Sequence, residues 1–297
     1  VKNIVINTKI VNQTGLMNDT FVNLDKLSFS IDQDVFTGKA SIKNIVQNAL
    51  VDAALKGTIN LGNLAQAYPI KMKIPMMGIL KADVTTKFDM QSVTNSQYAN
   101  INNAGIMSLS GFKYTDENGK SMNISNALVQ FNPSKVNLQE FKATTGKSDI
   151  SVTGTLDNFY GFMFRNQELK GNFNMISNQI AVSDFMTTGA ASTANADATA
   201  TTTAKKADAM KIPAFLNCSL TAKANTVLYD NLTLKDVSGN MTIADQKVTL
   251  QNVKTSIFGG QIGFNGAVST KTAVPVYNMN MNLNQVDIAQ SFTQLDM

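Results

Sequence analysis

Residues 214–267 read AFLNCSLTAKANTVLYDNLTLKDVSGNMTIADQKVTLQNVKTSIFGGQIGFNGA, and the period of this stretch decides the fold. Leu216, Cys218, Leu220, Ala222 and Ala224 alternate with Asn, Ser, Thr and Lys. After a turn at Tyr229-Asp230-Asn231, Leu232 and Leu234 alternate with Thr233 and Lys235. Met241 and Ile243 lead into a second turn at 244–247, beyond which Val248 and Leu250 resume the pattern. Ile257, the pair Gly259-Gly260, Ile262 and Phe264 close the series. Alternation at period two over five to eight residues, broken by Asp, Asn and Gly, predicts short antiparallel strands. Each has one apolar and one polar face.

The same grammar extends outward. Residues 4–10, 21–31, 35–45 and 49–59 read as strands, with a turn at 32–34. Residues 61–68 take a helix-like spacing stopped by Pro69, and 71–90 read as a long or broken strand pair bent at Pro75 and Gly78. A helical turn is expected at 96–103, then a hairpin of 106–114 with 121–131 about the turn 116–119. A turn at 132–135 leads into strands 136–143 and 150–156, and a short interruption follows at 157–161. Residues 169–176 and 179–185 read as a hairpin about Ser177-Asn178. Polar turns at 32–34, 132–135 and 244–247 each lead through two strands to a glycine (Gly57, Gly154, Gly266), a repeating plan that implies a sheet grown by accretion.

Composition removes several functions. Charged residues make up 15% of the chain, against roughly 25% in ordinary soluble domains. The net charge of +4 is spread along the chain, with no basic cluster interleaved with aromatics, which argues against a nucleic-acid groove. Without His there is no imidazole base and no HExxH site, and Cys218 sits at an apolar strand position that reads as core. Asp116-Glu117 lie in a turn, and Gly259-Gly260 with Gly263 have no following helix to hold a phosphate. Asp230, Asp236 and Asp245 lack the spacing of a calcium loop. No enzyme, cofactor or metal is expected.

Residues 187–209 are almost wholly Ala, Thr, Ser, Asn and Asp, a composition that cannot offset its ordering entropy and reads as a flexible loop. Three parts follow: a first β segment at 1–186, the loop at 187–211, and a second segment at 212–297 continuing the same sheet. The longest apolar run, 74–80, is far short of the roughly 20 residues needed to cross a bilayer. The chain reads as a piece of a longer one, so a membrane anchor would lie outside it.

What remains is apolar area. Many strands carry one greasy face and the helices are too few to cover it. Either the sheet closes on itself as a sandwich or barrel, or it curves into an open trough. A dry groove stabilises an acyl chain by about 0.8 kcal/mol per CH₂. The 15 Met residues suit a wall that adapts to guests of variable shape, although Met also packs ordinary cores.

Several segments resemble a known family. Leu169-Lys170-Gly171-Asn172-Phe173, the low-complexity loop and Ile212-Pro213-Ala214-Phe215-Leu216 are similar to the AsmA-like C-terminal region of Gram-negative bacteria, in the form common among Bacteroidetes. So are Leu232-Thr233-Leu234-Lys235-Asp236-Val237-Ser238-Gly239 and Phe258-Gly259-Gly260-Gln261-Ile262-Gly263-Phe264-Asn265-Gly266. Upstream, Leu55-Lys56-Gly57-Thr58-Ile59-Asn60-Leu61 with Leu64 and Tyr68-Pro69, and Val152-Thr153-Gly154-Thr155-Leu156-Asp157-Asn158-Phe159, agree. The resemblance spans most of the chain, and its specificity comes from the order of degenerate motifs. It implies a periplasmic protein tethered by one N-terminal inner-membrane helix absent from this sequence. It further implies a TamB-like, bridge-like β-groove that moves phospholipid between inner and outer membranes and supports outer-membrane integrity. Its partners would be phospholipid acyl chains, both membranes and envelope proteins of unknown identity.

The expectation is an all-β fold: a long, strongly curved antiparallel sheet of roughly 20 strands, an open apolar groove on the order of 90–100 Å long, and a few short helices. By parity the lining would be Phe173, Met175, Ile180, Val182, Leu216, Leu220, Leu232, Leu234, Met241, Ile243, Val248, Leu250, Ile262, Phe264, Met279, Met281 and Leu283. The rivals are an envelope scaffold with a sealed core and a carbohydrate-binding sandwich, the latter disfavoured by the absence of Trp.

Overall fold

The computed structural model describes residues 1–63, 77–115, 119–133, 135–187, 209–210, 212–272 and 274–294. Its strands are β1 (Lys2–Val11), β2 (Phe21–Ile31), β3 (Asp34–Lys43), β4 (Leu50–Asn60), β5 (Met77–Asp89), β6 (Asn102–Thr115), β7 (Ser121–Asn132), β8 (Lys135–Thr145), β9 (Ser148–Leu156) and β10 (Leu169–Ala181). A two-residue pair, β11 (Met186–Thr187) and β12 (Ala209–Met210), precedes β13 (Leu216–Tyr229), β14 (Leu232–Ala244), β15 (Lys247–Ile257), β16 (Gly260–Ser269) and β17 (Val276–Asn284). Short helices occupy Met90–Thr94, Phe159–Arg165 and Ile288–Gln294.

Fifteen strands form one open sheet in chain order, β1 through β10 and then β13 through β17, with β1 and β17 at its two edges. The fold is all-β, and the sheet does not close into a barrel. Among the described residues no second sheet packs on it to make a sandwich, and the only other sheet is the β11–β12 pair. With a spacing of about 4.8 Å between neighbours, the sheet is roughly 67 Å across, shorter than the 90–100 Å expected. The surplus strands of the sequence reading arose by splitting long ones. Residues 169–176 and 179–185 are not a hairpin: β10 runs unbroken to Ala181. In the region read as a strand pair, 77–89 form the single strand β5, while residues 64–76, including most of the helix-like 61–68, lie outside the described residues.

Every neighbouring pair is antiparallel except β10 and β13, which run parallel in register from Leu169–Leu216 to Ala181–Leu228. A parallel pair requires a crossover that returns the chain to the rim it started from. Residues 182–215 supply that connection, and most of the Ala/Thr-rich segment read as a flexible loop lies outside the described residues. The predicted threefold repeat holds in strand order, each polar turn leading through two strands (β3–β4, β8–β9, β15–β16) to Gly57, Gly154 or Gly266, but not in orientation. The turns at 132–135 and 244–247 lie on the rim where β8 and β15 begin, whereas the turn at 32–34 lies on the opposite rim.

A line of bulges crosses the sheet and resets its alternation. β14 carries an extra residue opposite β15 at Asp236, which takes a left-handed φ of +51°, and β15 carries one at Asn252, φ +54°. Asn and Asp tolerate this conformation because their short side chains satisfy local backbone groups. Each bulge leaves two consecutive exposed residues, Lys235-Asp236 and Gln251-Asn252, after which the more buried positions resume on the other parity. Asp25-Lys26 does the same in β2. Bulges bend the strand that holds them and increase its twist.

In β10 the pairing with β9 ends at Ile176–Ser151, and just beyond it the Asp149 carboxylate accepts the backbone N–H groups of Asn178 (3.0 Å) and Gln179 (2.8 Å). Burial pushes the Asp149 carboxyl up, but these donors outweigh it and hold the group below its ordinary value. A depressed carboxylate stabilises the fold above the unfolded pKa of about 4, and that contribution is lost as pH falls through the folded value. Asp149→Ala is therefore expected to cost about 1 kcal/mol at pH 7, at the low end because water reaches the group. Its urea unfolding curve should merge with that of the unaltered chain in strong acid.

Two glycines show how closely the backbones approach. A Cβ on Gly105, whose φ is +116°, would lie 2.0 Å from the Asp83 carbonyl oxygen. Gly105→Ala should lower stability by about 2–4 kcal/mol in chemical unfolding. Gly154 is bounded by the Phe173 ring, 2.6 Å from the position a Cβ would take, so the ring lies across the glycine of the next strand.

Candidate functional site

Pairing registers place side chains on a common face, since residues opposite one another in a sheet project the same way. One lateral row can be followed through fourteen strands: Phe29, Phe36, Gly57, Ala82, Met107, Val129 and Leu138, then Gly154, Phe173, Leu220, Met241, Leu250, Gly266 and Met279. None of the fourteen is polar. The adjoining row, on the opposite face, runs Ser28, Thr37, Lys56, Asp83, Ile106, Gln130 and Asn137, then Thr155, Asn172, Ser219, Thr242, Thr249, Ala267 and Asn278. Only Ile106 and Ala267 interrupt its polarity. The sheet has one oily side and one wet side from β2 to β17.

The proposed lining residues fall on the oily side. Phe173, Leu220, Met241 and Leu250 belong to the row above, and Ile243 with Val248 stand one position along. Ile262, Phe264 and Gly266 pair with Leu283, Met281 and Met279. On a regular strand Leu232 and Leu234 would face away from Met241 and Ile243. The bulge at Asp236 returns them, and Ile180 pairs through Val227 to Leu234 in the same way. Met175 pairs with Ala222 and Leu216 with Leu169, while Val182 lies beyond the strand in a 3₁₀ turn.

Exposure describes the state of this face. Every proposed lining residue from Phe173 to Phe264 is half-buried, neither sealed nor free, and Met279, Met281 and Leu283 on the edge strand are exposed. A core sealed by a second layer would bury such positions. Among the described residues only 14 hydrophobic residues are buried, spread from Ile31 in β2 to Ile257 in β15.

The densest packing is a helical plug that the sequence reading missed. Phe159, at the start of helix Phe159–Arg165, packs against the buried cluster of Val129, Phe131 and Val136 on β7 and β8, its ring 5.6 Å from that of Phe131 between centroids, and Val84, Met107, Leu138 and Leu156 pack against the same cluster. Tyr160 joins Val93 and Ile101 from the β5–β6 connection. Its hydroxyl donates to the Asn103 carbonyl oxygen and lies 3.1 Å from the Thr86 hydroxyl, which donates to the same oxygen at 2.8 Å. Asn103 is 2% exposed, so this triad satisfies a polar side chain on the oily face. Burial raises the Tyr160 pKa, which keeps its hydroxyl protonated and able to donate. The Phe162 ring meets Phe215, 5.8 Å between centroids, so the plug continues into the segment that enters β13. The sequence signal was slight: Phe-Tyr-Gly-Phe-Met-Phe-Arg has no helical capping residue that bonds its first turn.

Cys218 lies on the oily side, where burial pushes its thiol pKa up and makes it less reactive. A hollow of about 670 Å³ lies on the wet side, walled by Thr233, Lys235, Ser256, Gln261 and Asn284 beside the β15–β16 turn. Hydroxyls, amides and one ammonium dominate its walls, with Ile257 and Phe258 beside them, so it is a mainly polar recess of the wet surface. No helix among the described residues is long and apolar enough to cross a membrane. The chain matches no family model, no curated protein and no solved structure.

Proposed function

We propose that this chain is an AsmA-type groove protein that binds acyl chains on its oily face and conducts phospholipid between the inner and outer membranes of a Gram-negative envelope. The observation that supports this reading is the fourteen-strand apolar row, half-buried except at buried Val129 and exposed Met279, and backed by an equally long polar row. Thirteen strand spacings make the row about 62 Å long, roughly twice the hydrocarbon thickness of a bilayer. Fully dry, a sixteen-carbon tail would gain on the order of 10 kcal/mol; lying on an open face with one side in water, it keeps about half. That is strong enough to hold a tail and weak enough to let it slide, while headgroups ride in water. The periplasmic location and the inner-membrane tether, through a segment outside residues 1–297, come from the family resemblance.

The rival reading is an envelope scaffold, which the plug favours because Phe159 already packs on the oily face at β7 and β8. Native mass spectrometry of the chain purified from a Gram-negative host separates the two. Lipid transport predicts mass additions of one or more phospholipids. A bare chain, even after incubation with phospholipid vesicles, leaves the scaffold.

A further inference from the structure

The two edges of the sheet are built differently. β1 carries Lys2 and Lys9, a left-handed Asn3 at φ +53°, and two register irregularities against β2. Charge and irregularity are the usual guards against edge-to-edge pairing. β17 has none of them. Its sequence, Val276-Tyr277-Asn278-Met279-Asn280-Met281-Asn282-Leu283-Asn284, holds no charge, proline or glycine, and it pairs with β16 in unbroken register along all nine residues. All nine are exposed, Tyr277 to 75% and Met279 to 54%. Among the described residues none pairs with the outer side of β17: at Gln285 the chain turns back toward the β15–β16 turn, where the Asp287 N–H donates to the Phe258 carbonyl at 2.8 Å.

We infer that the free edge of β17 pairs with β17 of a second copy, antiparallel about a twofold axis through Asn280, to give a dimer with one continuous thirty-strand sheet. The strand is self-complementary in that register. Tyr277 faces Leu283, Met279 faces Met281, Asn278 faces Asn282, and Asn280 faces its own copy. Apolar meets apolar and amide meets amide, with no like charges opposed. An axis perpendicular to the sheet keeps both oily faces on one side, because Tyr277, Met279, Met281 and Leu283 already stand with Val268, Gly266, Phe264 and Ile262. The twofold closes on itself, as most homodimers do, and leaves the guarded β1 edges outward. The pairing is independent of lipid binding: a bare sheet and a loaded one expose the same edge.

Sedimentation velocity over about 1–100 µM tests it. The unaltered chain should show a monomer–dimer equilibrium whose dimer has twice the 32.1 kDa mass of the chain. Asn280→Lys and Asn280→Asp, each placing like charges across the axis, should each raise the dissociation constant by about tenfold, and an equimolar mixture of the two should restore the dimer. Circular dichroism should be unchanged in both, since the position is exposed. A monomer throughout the range overturns the inference, as does a dimer that neither variant weakens. Open-ended assemblies overturn it in favour of head-to-tail β17–β1 pairing. Failure of the mixture to recover overturns the Asn280-centred register. Lipid retention by native mass spectrometry stays an independent readout of the groove.

Discussion

Ile243→Asp is expected to strip phospholipid from the purified chain while leaving it folded. Ile243 pairs with Cys218 and Val248 on the oily face and is half-buried. A carboxylate there must either be desolvated by the bound tail or keep its water and exclude the tail. The transfer penalty for Asp in hydrocarbon is about 2.5–3.5 kcal/mol, or roughly a hundredfold in lipid affinity. The free protein is spared most of that cost because water already reaches the site. Thr242→Asp, one residue along on the wet face, is the control and should change lipid content little. Leu234→Asp, beyond the bulge at Asp236, should behave like Ile243→Asp. Lipid phosphorus per chain together with circular dichroism reads both effects, and global unfolding of Ile243→Asp would mean a sealed core.

The second large effect is at the plug. Tyr160 is 8% exposed and packs against Val93 and Ile101, with the Phe88 ring at 6.0 Å and the Phe159 ring at 5.7 Å between centroids. Tyr160→Ala should destabilise the chain by about 3–5 kcal/mol, because it leaves a cavity and removes a donor from Asn103. Tyr160→Phe keeps the ring and should cost only about 1–2 kcal/mol, since Thr86 still donates to Asn103. Urea unfolding measures both. Hydrogen exchange should show the loosening of Tyr160→Ala concentrated in β5–β9 and the helix Phe159–Arg165, with β14–β17 unaffected. Equal costs for Phe and Ala would mean that the hydroxyl, and not the ring, seats the helix.

Much of this architecture was legible because alternation is a local property. Leu216 to Ala224 and Val276 to Asn284 announce their faces residue by residue, and the turns at 32–34, 132–135 and 244–247 use residues that few other structures want. The bulges were misread. Ser177-Asn178 is a polar doublet within an apolar alternation, and a turn and a bulge draw on the same residues for the same backbone conformations. The doublet therefore reads as the tip of a hairpin, although the Asp149 carboxylate that satisfies it comes from another strand. The counterpart at Lys235-Asp236 was passed over, yet Leu234 and Met241 still fell on one face, because the greasy residues follow the reset.

The parallel β10–β13 pair had no local signature, since it depends on which rim a 34-residue connection returns to. The helix Phe159–Arg165 was invisible for a related reason: packing of Phe159 on the Val129–Phe131–Val136 cluster and of Tyr160 with Val93 and Ile101 holds it, and its own sequence contributes little propensity. The lining residues proposed from the second half have equivalents in the first, such as Phe36, Met107 and Val129, that the same parity rule would have found.

The account stands on the oily face being reachable by hydrocarbon along the sheet, and site-specific photocrosslinking in cells tests that most directly. A photoreactive phenylalanine analogue placed at Phe36, Phe173, Met241 or Phe264 should form adducts with phospholipid, and at Lys56, Asn172, Thr242 or Asn265 on the wet face it should not. Adducts confined to the oily positions, on both sides of the plug, are the predicted result. Lipid adducts absent from all four oily positions, or equally frequent on the two faces, would contradict it.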